Sequence, residues 1–175
     1  GLFDELMTRF VDIWNALPFL LIALIVAISV GPSLGMVMAL LAVSSWSAGS
    51  RNIRGEVLSL RGRDYIQMAK VMNASDLRII VRHLLPNVLH VVIVITTLRT
   101  GSMIIAEAGL SFLGVGVPAS VPTWGIMIAQ GQKFLTTTWW MSIMPGVAIF
   151  LIVMSFNFLG DWIRDRFDPR LNQLD

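Results

Sequence analysis

Cysteine is absent from this chain, and charged residues are scarce. Without a thiol, the 175 residues can form neither a disulfide nor a thiolate site. Charged side chains make up 14% of the sequence and hydrophobic residues 55%, a balance typical of membrane proteins. The net charge of +2 is too small to suggest nucleic acid as a partner. No phosphate loop of the GxxxxGKS or GxxxxGKT kind occurs, so any nucleotide must bind elsewhere.

Long apolar segments are the dominant feature instead. A helix needs about 20 residues to cross the hydrocarbon core of a bilayer. The sequence predicts an all-α polytopic membrane helical bundle, one transmembrane domain whose four spans are residues 10–30, 34–50, 87–108 and 139–160. A polar helix is expected to begin at the membrane surface before the first span. We expect Pro18 to kink or start the buried part of that span, and the Pro145-Gly146 pair to interrupt the fourth.

The connections between these spans carry local signals. Gly31-Pro32-Ser33 predicts a tight turn in which Ser33 caps the second helix, and that helix should run into water and stop near Gly62. The stretch 109–138 is too apolar for an ordinary loop, so we expect it to dip back into the protein. Within it, 123–135 predicts a helix at the outer surface. The side chains expected to turn inward are Leu110, Phe112, Leu113, Val115 and Val117.

Lysine and arginine are unevenly distributed along the chain. Residues 51–83 hold seven of the thirteen, the tail 161–175 holds three, and the stretch 109–138 holds only Lys133. The positive-inside rule therefore places the loop 51–86 and the tail in the cytoplasm and the loop 109–138 outside. An even number of spans, with both ends of the chain cytoplasmic, agrees with this orientation.

The basic loop has a helical pattern of its own. Asp64 and Gln67 resemble a capping box. Asn73 stands where the chain must turn, so a positive φ is predicted for it, and Ser75 can cap a second helix. Pro86 suits the first turn of the helix that follows. One apolar face is predicted from Tyr65, Met68, Ala69 and Met72, and a second from Leu77, Ile80, Val81 and Leu84.

Two interpretations of this loop are possible from its pattern. Its two short helices could dock into a partner protein, or they could lie on anionic lipid, which the arginine content would permit.

One cation falls inside a predicted span. Arg99 lies near mid-membrane, where an arginine is costly unless it is paired or faces water. It could line a path and meet a substrate carboxylate, or it could pair with an acid on another helix or subunit. Glu107 is two turns further on and is expected to anchor the turn that follows. His90 has no second His or Cys beside it, so no metal site is predicted.

Several collinear motifs resemble one family of transporters. The segment YIQMAKVMNASDLRIIVRHLLPN resembles the cytoplasmic loop of binding-protein-dependent ABC importer permeases. The stretches VDIWNALP, RGEVLSLRGRDY, AEAGLSFLGVGVP, PTWGIMIAQG and FNFLGDWIRDRFDPRL look like the second-permease type of the dipeptide, oligopeptide and nickel branch. The loop departs from the family pattern at Gln67 for Glu, Met68 for Ala and Asn73 for Gly, while Ala69 and Leu85-Pro86 are kept.

The resemblance implies a membrane subunit without catalytic residues of its own. It implies a prokaryotic cytoplasmic membrane location, a second similar permease, two cytoplasmic ATP-binding subunits that carry ATP and Mg, and an extracytoplasmic substrate-binding protein. Family members also have two more spans and an external segment before this region. The residues expected to couple to the ATPase are Asp64, Tyr65, Gln67, Met68, Ala69, Met72, Asn73, Ala74, Asp76, Leu85 and Pro86.

The substrate stays open at this point. A di- or oligopeptide is favoured by the branch, and nickel chelates, glutathione and other small solutes are alternatives within the same class. An ion-coupled secondary transporter would need inverted repeats and several intramembrane acids, which the predicted spans lack. A structural membrane protein without a path is the third class.

Overall fold

The architecture was determined from a computed structural model, which describes residues 1–167. All regular structure in this range is helical, which confirms the predicted fold class. The end of the predicted tail, with Arg170, lies outside the described residues. The seven principal helices are α1 (Leu2–Ala16), α2 (Phe19–Val30), α3 (Leu34–Arg61), α4 (Asp64–Val71), α5 (Asp76–Phe112), α6 (Trp124–Gly131) and α7 (Trp140–Phe167), with a short 3-10 turn at Gln132–Phe134.

The predicted span 10–30 is two helices rather than one. The chain bends by 75° between α1 and α2, at Leu17 and Pro18. Pro18 occupies the N-cap position of α2, as its fixed φ and missing N–H favour. Residues 10–16 therefore continue the preceding amphipathic helix instead of starting the span.

Two or three of the four predicted spans are supported by length and hydropathy. Within residues 1–167, α5 and α7 are long and apolar enough to cross a membrane, and α1 with α2 forms a third if the bent pair is one span. Helix α3 is the exception, since it is not among the helices long and apolar enough to cross a membrane. Both ends of α3 are where the sequence predicted them. Ser33 Oγ accepts a hydrogen bond from Met36 N–H at 3.1 Å, and Gly62 occupies the C-cap position.

Both prolines within the long helices are accommodated without a break. Pro86 is in the first turn of the α-helical stretch Leu85–Phe112, as predicted, but no turn precedes it. A π-helical segment, Ile80–Leu84, joins this stretch to Asp76–Ile79. In a regular α-helix the ring of Pro86 would clash with the carbonyl of Arg82, and the wider π turn relieves that clash. Pro145 lies inside α7, which continues to Phe167, so the predicted interruption of that span is wrong.

The buried core joins α2, α3, α5 and α6. Ala23 and Leu110 are completely buried there, and Val37 nearly so. Helix α7 packs along α5 and also contacts α6. The core thus holds the segment between α5 and α7 against the first helices of the chain, while α4 lies at the far end of α3.

Candidate coupling site

The coupling segment, residues 64–86, begins with α4 and a tight helix-ending turn. Asn73 has a φ of 59°, the positive value predicted for it. The N–H of Ala74 donates to the carbonyl of Ala69 at 3.0 Å, and the N–H of Asn73 donates to that of Lys70 at 2.9 Å. These two bonds form a Schellman motif, in which an asparagine tolerates the left-handed position better than most residues. The turn directs the chain from α4 into α5.

One of the two predicted caps is present. Ser75 Oγ accepts a hydrogen bond from the N–H of Arg78 at 3.4 Å, which confirms it as the cap of α5. The capping box at Asp64 is wrong, because Arg63 occupies the N-cap position and Asp64 already lies in the first turn. A carboxylate there still favours the positive end of the helix dipole. Gln67 Nε2 instead donates to the carbonyl of Arg61 at 3.0 Å, which ties α4 to the end of α3.

Helix α4 is also held from its inner side. Ile66 is only 1% exposed and anchors the helix to the protein. The ring of Tyr65 lies 6.2 Å from that of His83, so α4 contacts the π-helical part of α5 as well. The sequence interpretation missed Ile66, although it was detectable. In a helix of eight residues, an isoleucine on the side opposite two methionines indicates that the isoleucine packs against the protein and that the methionines face a partner.

The outer face of the coupling segment is apolar and exposed. We define this outer face as Met68, Val71, Met72 and Leu77, which are 67%, 87%, 83% and 71% exposed. Ala69 is half-buried between Met68 and Met72. Val71 was missed by the sequence interpretation, although the spacing of positions 68, 71 and 72 places all three side chains on one side of a helix.

The remaining predicted coupling residues are only partly brought together. Ala74 is half-buried within the turn, whereas Asp64 and Asp76 are exposed at the starts of α4 and α5. Leu85 and Pro86 lie roughly 14 Å further along α5, from a rise of about 1.5 Å per residue. Of the second predicted apolar face, Leu77, Ile80 and Val81 are exposed, while Ile79 is the residue that turns inward.

Arg99 lies in the middle third of α5 and is half-buried. Thr97, Leu98 and Gly101 point toward α7, where Gly160 and Val153 approach them closely. Helical spacing places Arg99 on a different side of α5 from these contacts. No carboxylate of residues 1–167 lies within ion-pair distance of it. Arg99 is therefore available to a group outside the described residues.

The segment 107–142 contains the predicted loop 109–138, which folds back into the protein as expected. Ser111 Oγ donates to Glu107 Oε1 at 2.7 Å and accepts from the N–H of Val117 at 3.2 Å, so Glu107 does anchor the turn that follows it. Val115 and Val117 pack with the core, but Phe112 and Leu113 are exposed, contrary to expectation.

Helix α6 is where the sequence predicted a helix, and it lies against its neighbours through glycines. Thr123 caps it, its Oγ1 accepting from Ile126 N–H at 3.3 Å. A Cβ on Gly125 would overlap the carbonyl of Ala108, and one on Gly131 would come within 2.6 Å of Ser142 Oγ. Across residues 1–167 no group of three His, Cys, Asp or Glu could hold a metal ion.

The family profile described as "Binding-protein-dependent transport system inner membrane component" matches residues 1–173. The chain belongs to this family. A putative peptide transport system permease of Brucella suis is 40% identical over 169 residues, covering 97% of this chain and 57% of the relative. The dipeptide transport permease DppC of Bacillus subtilis is 36% identical, with 99% and 54% of the two chains covered. The glutathione transport permease GsiD of Escherichia coli O6:K15:H31 is also 36% identical, with 98% and 56% covered.

This chain thus spans little more than half the length of the curated relatives that it matches. The matched region includes the coupling segment, α6 and the end of α7. The family is a membrane component of transport systems, in agreement with the apolar helices α5 and α7.

Proposed function

We propose that this chain is a permease subunit of an ATP-driven, binding-protein-dependent importer whose substrates are di- or oligopeptides. The proposal rests first on the outer face, since a family member with large apolar side chains exposed on a firmly held helix needs a protein to cover them. The peptide substrate is supported by relatives named as peptide and dipeptide permeases.

In this proposal, the outer face docks into a groove of a cytoplasmic ATPase subunit. The ATPase binds ATP and Mg and hydrolyses the nucleotide, so this chain contributes no hydrolytic residue. Met68 and Met72 suit such a groove because methionine adapts its shape to irregular apolar surfaces. A second permease and a second ATPase complete the complex, and an external binding protein delivers the substrate to the side of the segment 107–142.

The contacts of α4 explain how movement of the ATPase would reach the membrane helices. Gln67 links α4 to α3, and Tyr65 links it to α5. Buried Ile66 makes α4 a firmly held lever rather than a loose loop. When the ATPase pulls on the outer face, α3 and α5 move together, and the path between the two permeases changes from inward-facing to outward-facing.

The docking step is tested with Ala69→Asp and Met72→Asp, each of which places a carboxylate in the proposed apolar contact. Burying an unpaired charge costs several kcal/mol, so we expect the ATPase subunits to co-purify poorly and uptake to fall at least tenfold. Lys70→Glu is the control, because this exposed position of α4 lies off the outer face. Normal assembly and uptake with Met72→Asp would contradict the docking proposal.

We also propose that Arg99 lines the substrate path or its boundary with the second permease. An arginine inside an apolar helix, with no acid beside it in residues 1–167, needs water or a carboxylate from outside this range. A peptide carboxylate is a suitable ligand, because a guanidinium can bind it through two parallel hydrogen bonds.

Three variants distinguish the roles of Arg99. Arg99→Lys, Arg99→Gln and Arg99→Met are compared for peptide uptake and for the stability of the complex. Lost uptake in an intact complex supports the path role, and loss of the complex supports a structural pair with another subunit. Full uptake by Arg99→Met would eliminate both.

Glutathione is the second candidate substrate, favoured by the relative named as a glutathione permease. Glutathione is itself a small peptide with free carboxylates, so it fits the same proposed role of Arg99. Competition between unlabelled glutathione and a labelled dipeptide for uptake separates the two, since the true substrate competes at the lower concentration.

A further inference from the structure

Helix α1 has three distinct sides, and the first of them contacts α3. Arg54 binds Asp4 through two hydrogen bonds of 2.7 and 2.6 Å, and Arg51 Nη2 lies 2.8 Å from Asp12 Oδ1. Further along, Ser47 Oγ donates to Asn15 Oδ1 at 2.9 Å, and Ser47 is almost completely buried. This side fixes α1 along the part of α3 that precedes α4.

Aromatic residues gather at the edge of this contact. The ring of Trp46 lies 5.9 Å from that of Phe10 and 6.4 Å from that of Trp14. Trp46 is also only five residues before Arg51, so the aromatic rings and the ion pairs are neighbours along α3. Tryptophan beside arginine is the composition that proteins place at the boundary between hydrocarbon and water.

The second side of α1 is apolar and uncovered. Leu2, Phe3, Leu6 and Ile13 are 79%, 78%, 61% and 68% exposed. Their spacing places them together, on the opposite side of the helix from Asp4, Thr8 and Asn15. The third side, with Glu5 and Arg9, is polar and exposed. The apolar and polar residues thus form two separate strips on either side of the α3 contact.

The apolar strip continues into α2, which is apolar at every position except Ser29. Ile25 and Ile28 of α2 are 65% and 82% exposed, comparable to Leu6 and Ile13 of α1. Between the two helices the chain bends by 75°, so α1 leaves the direction of α2. An amphipathic helix that turns away from an apolar helix has the arrangement of a helix lying in the plane of a membrane surface.

We propose that α1 is a membrane-surface helix whose apolar strip (Leu2, Phe3, Leu6 and Ile13) is covered by lipid acyl chains. Glu5 and Arg9 face water, and the ion pairs to Arg51 and Arg54 fix the height of α1 along α3. The lipid contact goes beyond the proposed transport function, since it requires neither a substrate nor ATP. It also makes α1 a brace between the membrane surface and the helix that leads into the coupling segment.

These 175 residues contain no cysteine, so once any cysteines elsewhere in the complex are replaced with serine, each introduced cysteine is the single labelling site. Single cysteines at Leu6 and Ile13 are labelled with a small fluorophore in the full-length permease, within its assembled complex in phosphatidylcholine and phosphatidylglycerol vesicles. Glu5→Cys is the water-facing control, and Ile25→Cys on α2 is the lipid-facing control. Quenching is measured with lipids that carry a nitroxide on the acyl chain and, separately, with iodide in the buffer.

We expect the nitroxide lipids to quench labels at positions 6 and 13 at least twofold more than the label at position 5, with iodide showing the reverse order. Protection of positions 6 and 13 from both quenchers would overturn the proposal, because another protein segment would then cover the strip. Stronger iodide quenching at these positions than at position 5 would also overturn it. If either variant does not assemble, Phe3→Cys reports on the same strip. Peptide uptake is not measured, so failure of the transport proposal leaves this test unaffected.

Discussion

The coupling segment (64–86) and the segment 107–142 solve opposite packing problems. The coupling segment turns large apolar side chains outward and is held by two buried isoleucines (Ile66 and Ile79), one helix-ending turn and a few side-chain contacts. The segment 107–142 turns inward and brings Gly116, Gly125 and Gly131 against the backbones of α5 and α7. A surface that binds a partner needs exposed side chains on a helix that is packed against the rest of the protein. A segment that folds back into the protein needs glycines where backbones approach closely.

This difference predicts where substitutions should be tolerated. At Gly116, Gly125 and Gly131 an added methyl group meets backbone atoms that cannot move aside. On the exposed outer face of the coupling segment an added group meets no other part of the described chain, so harm there should come from a wrong backbone conformation or from a charge in the docking contact. Substitutions in the segment 107–142 should therefore mainly lower the unfolding midpoint, and substitutions in the coupling segment should mainly reduce ATPase binding and uptake.

The largest effect is expected for Gly125→Ala. Its Cβ would overlap the carbonyl of Ala108, so we expect destabilisation of about 1–3 kcal/mol or more from overpacking. The measurement is the midpoint of thermal unfolding of the purified complex. Gly109→Ala is the matched control, because nothing lies within 4 Å of its added Cβ and alanine favours a helix over glycine. Equal midpoints for the two variants would show that α6 does not rely on the close approach.

Ser111→Ala tests the polar part of the same segment and should rank second. Removing its hydroxyl leaves the N–H of Val117 and the carboxylate of Glu107 without this shared partner, which costs about 1–3 kcal/mol for a buried group. Ser102→Ala is the control, since Ser102 is exposed and only donates to a carbonyl of its own helix. Ser111→Ala should lower the unfolding midpoint without lowering ATPase co-purification at temperatures below it. A midpoint equal to that of Ser102→Ala would contradict this role.

Asn73→Val tests the coupling segment through its backbone. A β-branched residue is strongly disfavoured at a φ of 59°, by about 1–2 kcal/mol, and the Schellman turn should open. We expect uptake and substrate-stimulated ATP hydrolysis to fall together while the unfolding midpoint changes little. Asn73→Gly is the control and should behave like the original protein, because glycine adopts this φ without strain. Unchanged stimulation in Asn73→Val would mean that docking does not depend on the turn.

The sequence was sufficient for features that depend on a few neighbouring residues. The caps at Ser33 and Ser75, the positive φ of Asn73 and the end of α3 at Gly62 all follow from local backbone chemistry. The bend at Pro18 was expected, although its consequence for residues 10–16 was not.

Features that depend on distant contacts could not be predicted in the same way. The contact between the rings of Tyr65 and His83 joins residues 18 positions apart, on α4 and α5, and no local pattern indicates it. The close approach of Gly125 to Ala108 likewise joins residues 17 positions apart, and no local pattern distinguishes it from other glycines. The ion pairs of Asp4 with Arg54 and of Asp12 with Arg51 also join distant positions, and no local pattern around the two aspartates predicts them.

The smallest effect is expected for the ion pair between Asp4 of α1 and Arg54 of α3, because both side chains are exposed to solvent. The hydrogen bond from Arg54 lowers the pKa of Asp4, and the bond to Asp4 raises the pKa of Arg54. A carboxyl group whose folded pKa is lowered contributes its stabilisation above its unfolded pKa, which is about 3.9, and loses it as the pH falls through the lower folded value. We therefore expect the fluorescence of a label at Glu5→Cys to stay constant between about pH 8 and 5, since Asp4 and Arg54 both keep their charges in this range. Release of α1 from α3 should begin only below about pH 4 in the protein that carries Glu5→Cys alone.

In the Asp4→Asn variant that carries the same label, the contact between α1 and α3 should be weaker at neutral pH, and no further release should occur in acid. The charge exchange Asp4→Arg with Arg54→Asp should restore much of the contact, whereas either single change should not. An α1 that loosens between pH 7 and 5 would show that a group other than Asp4 controls it.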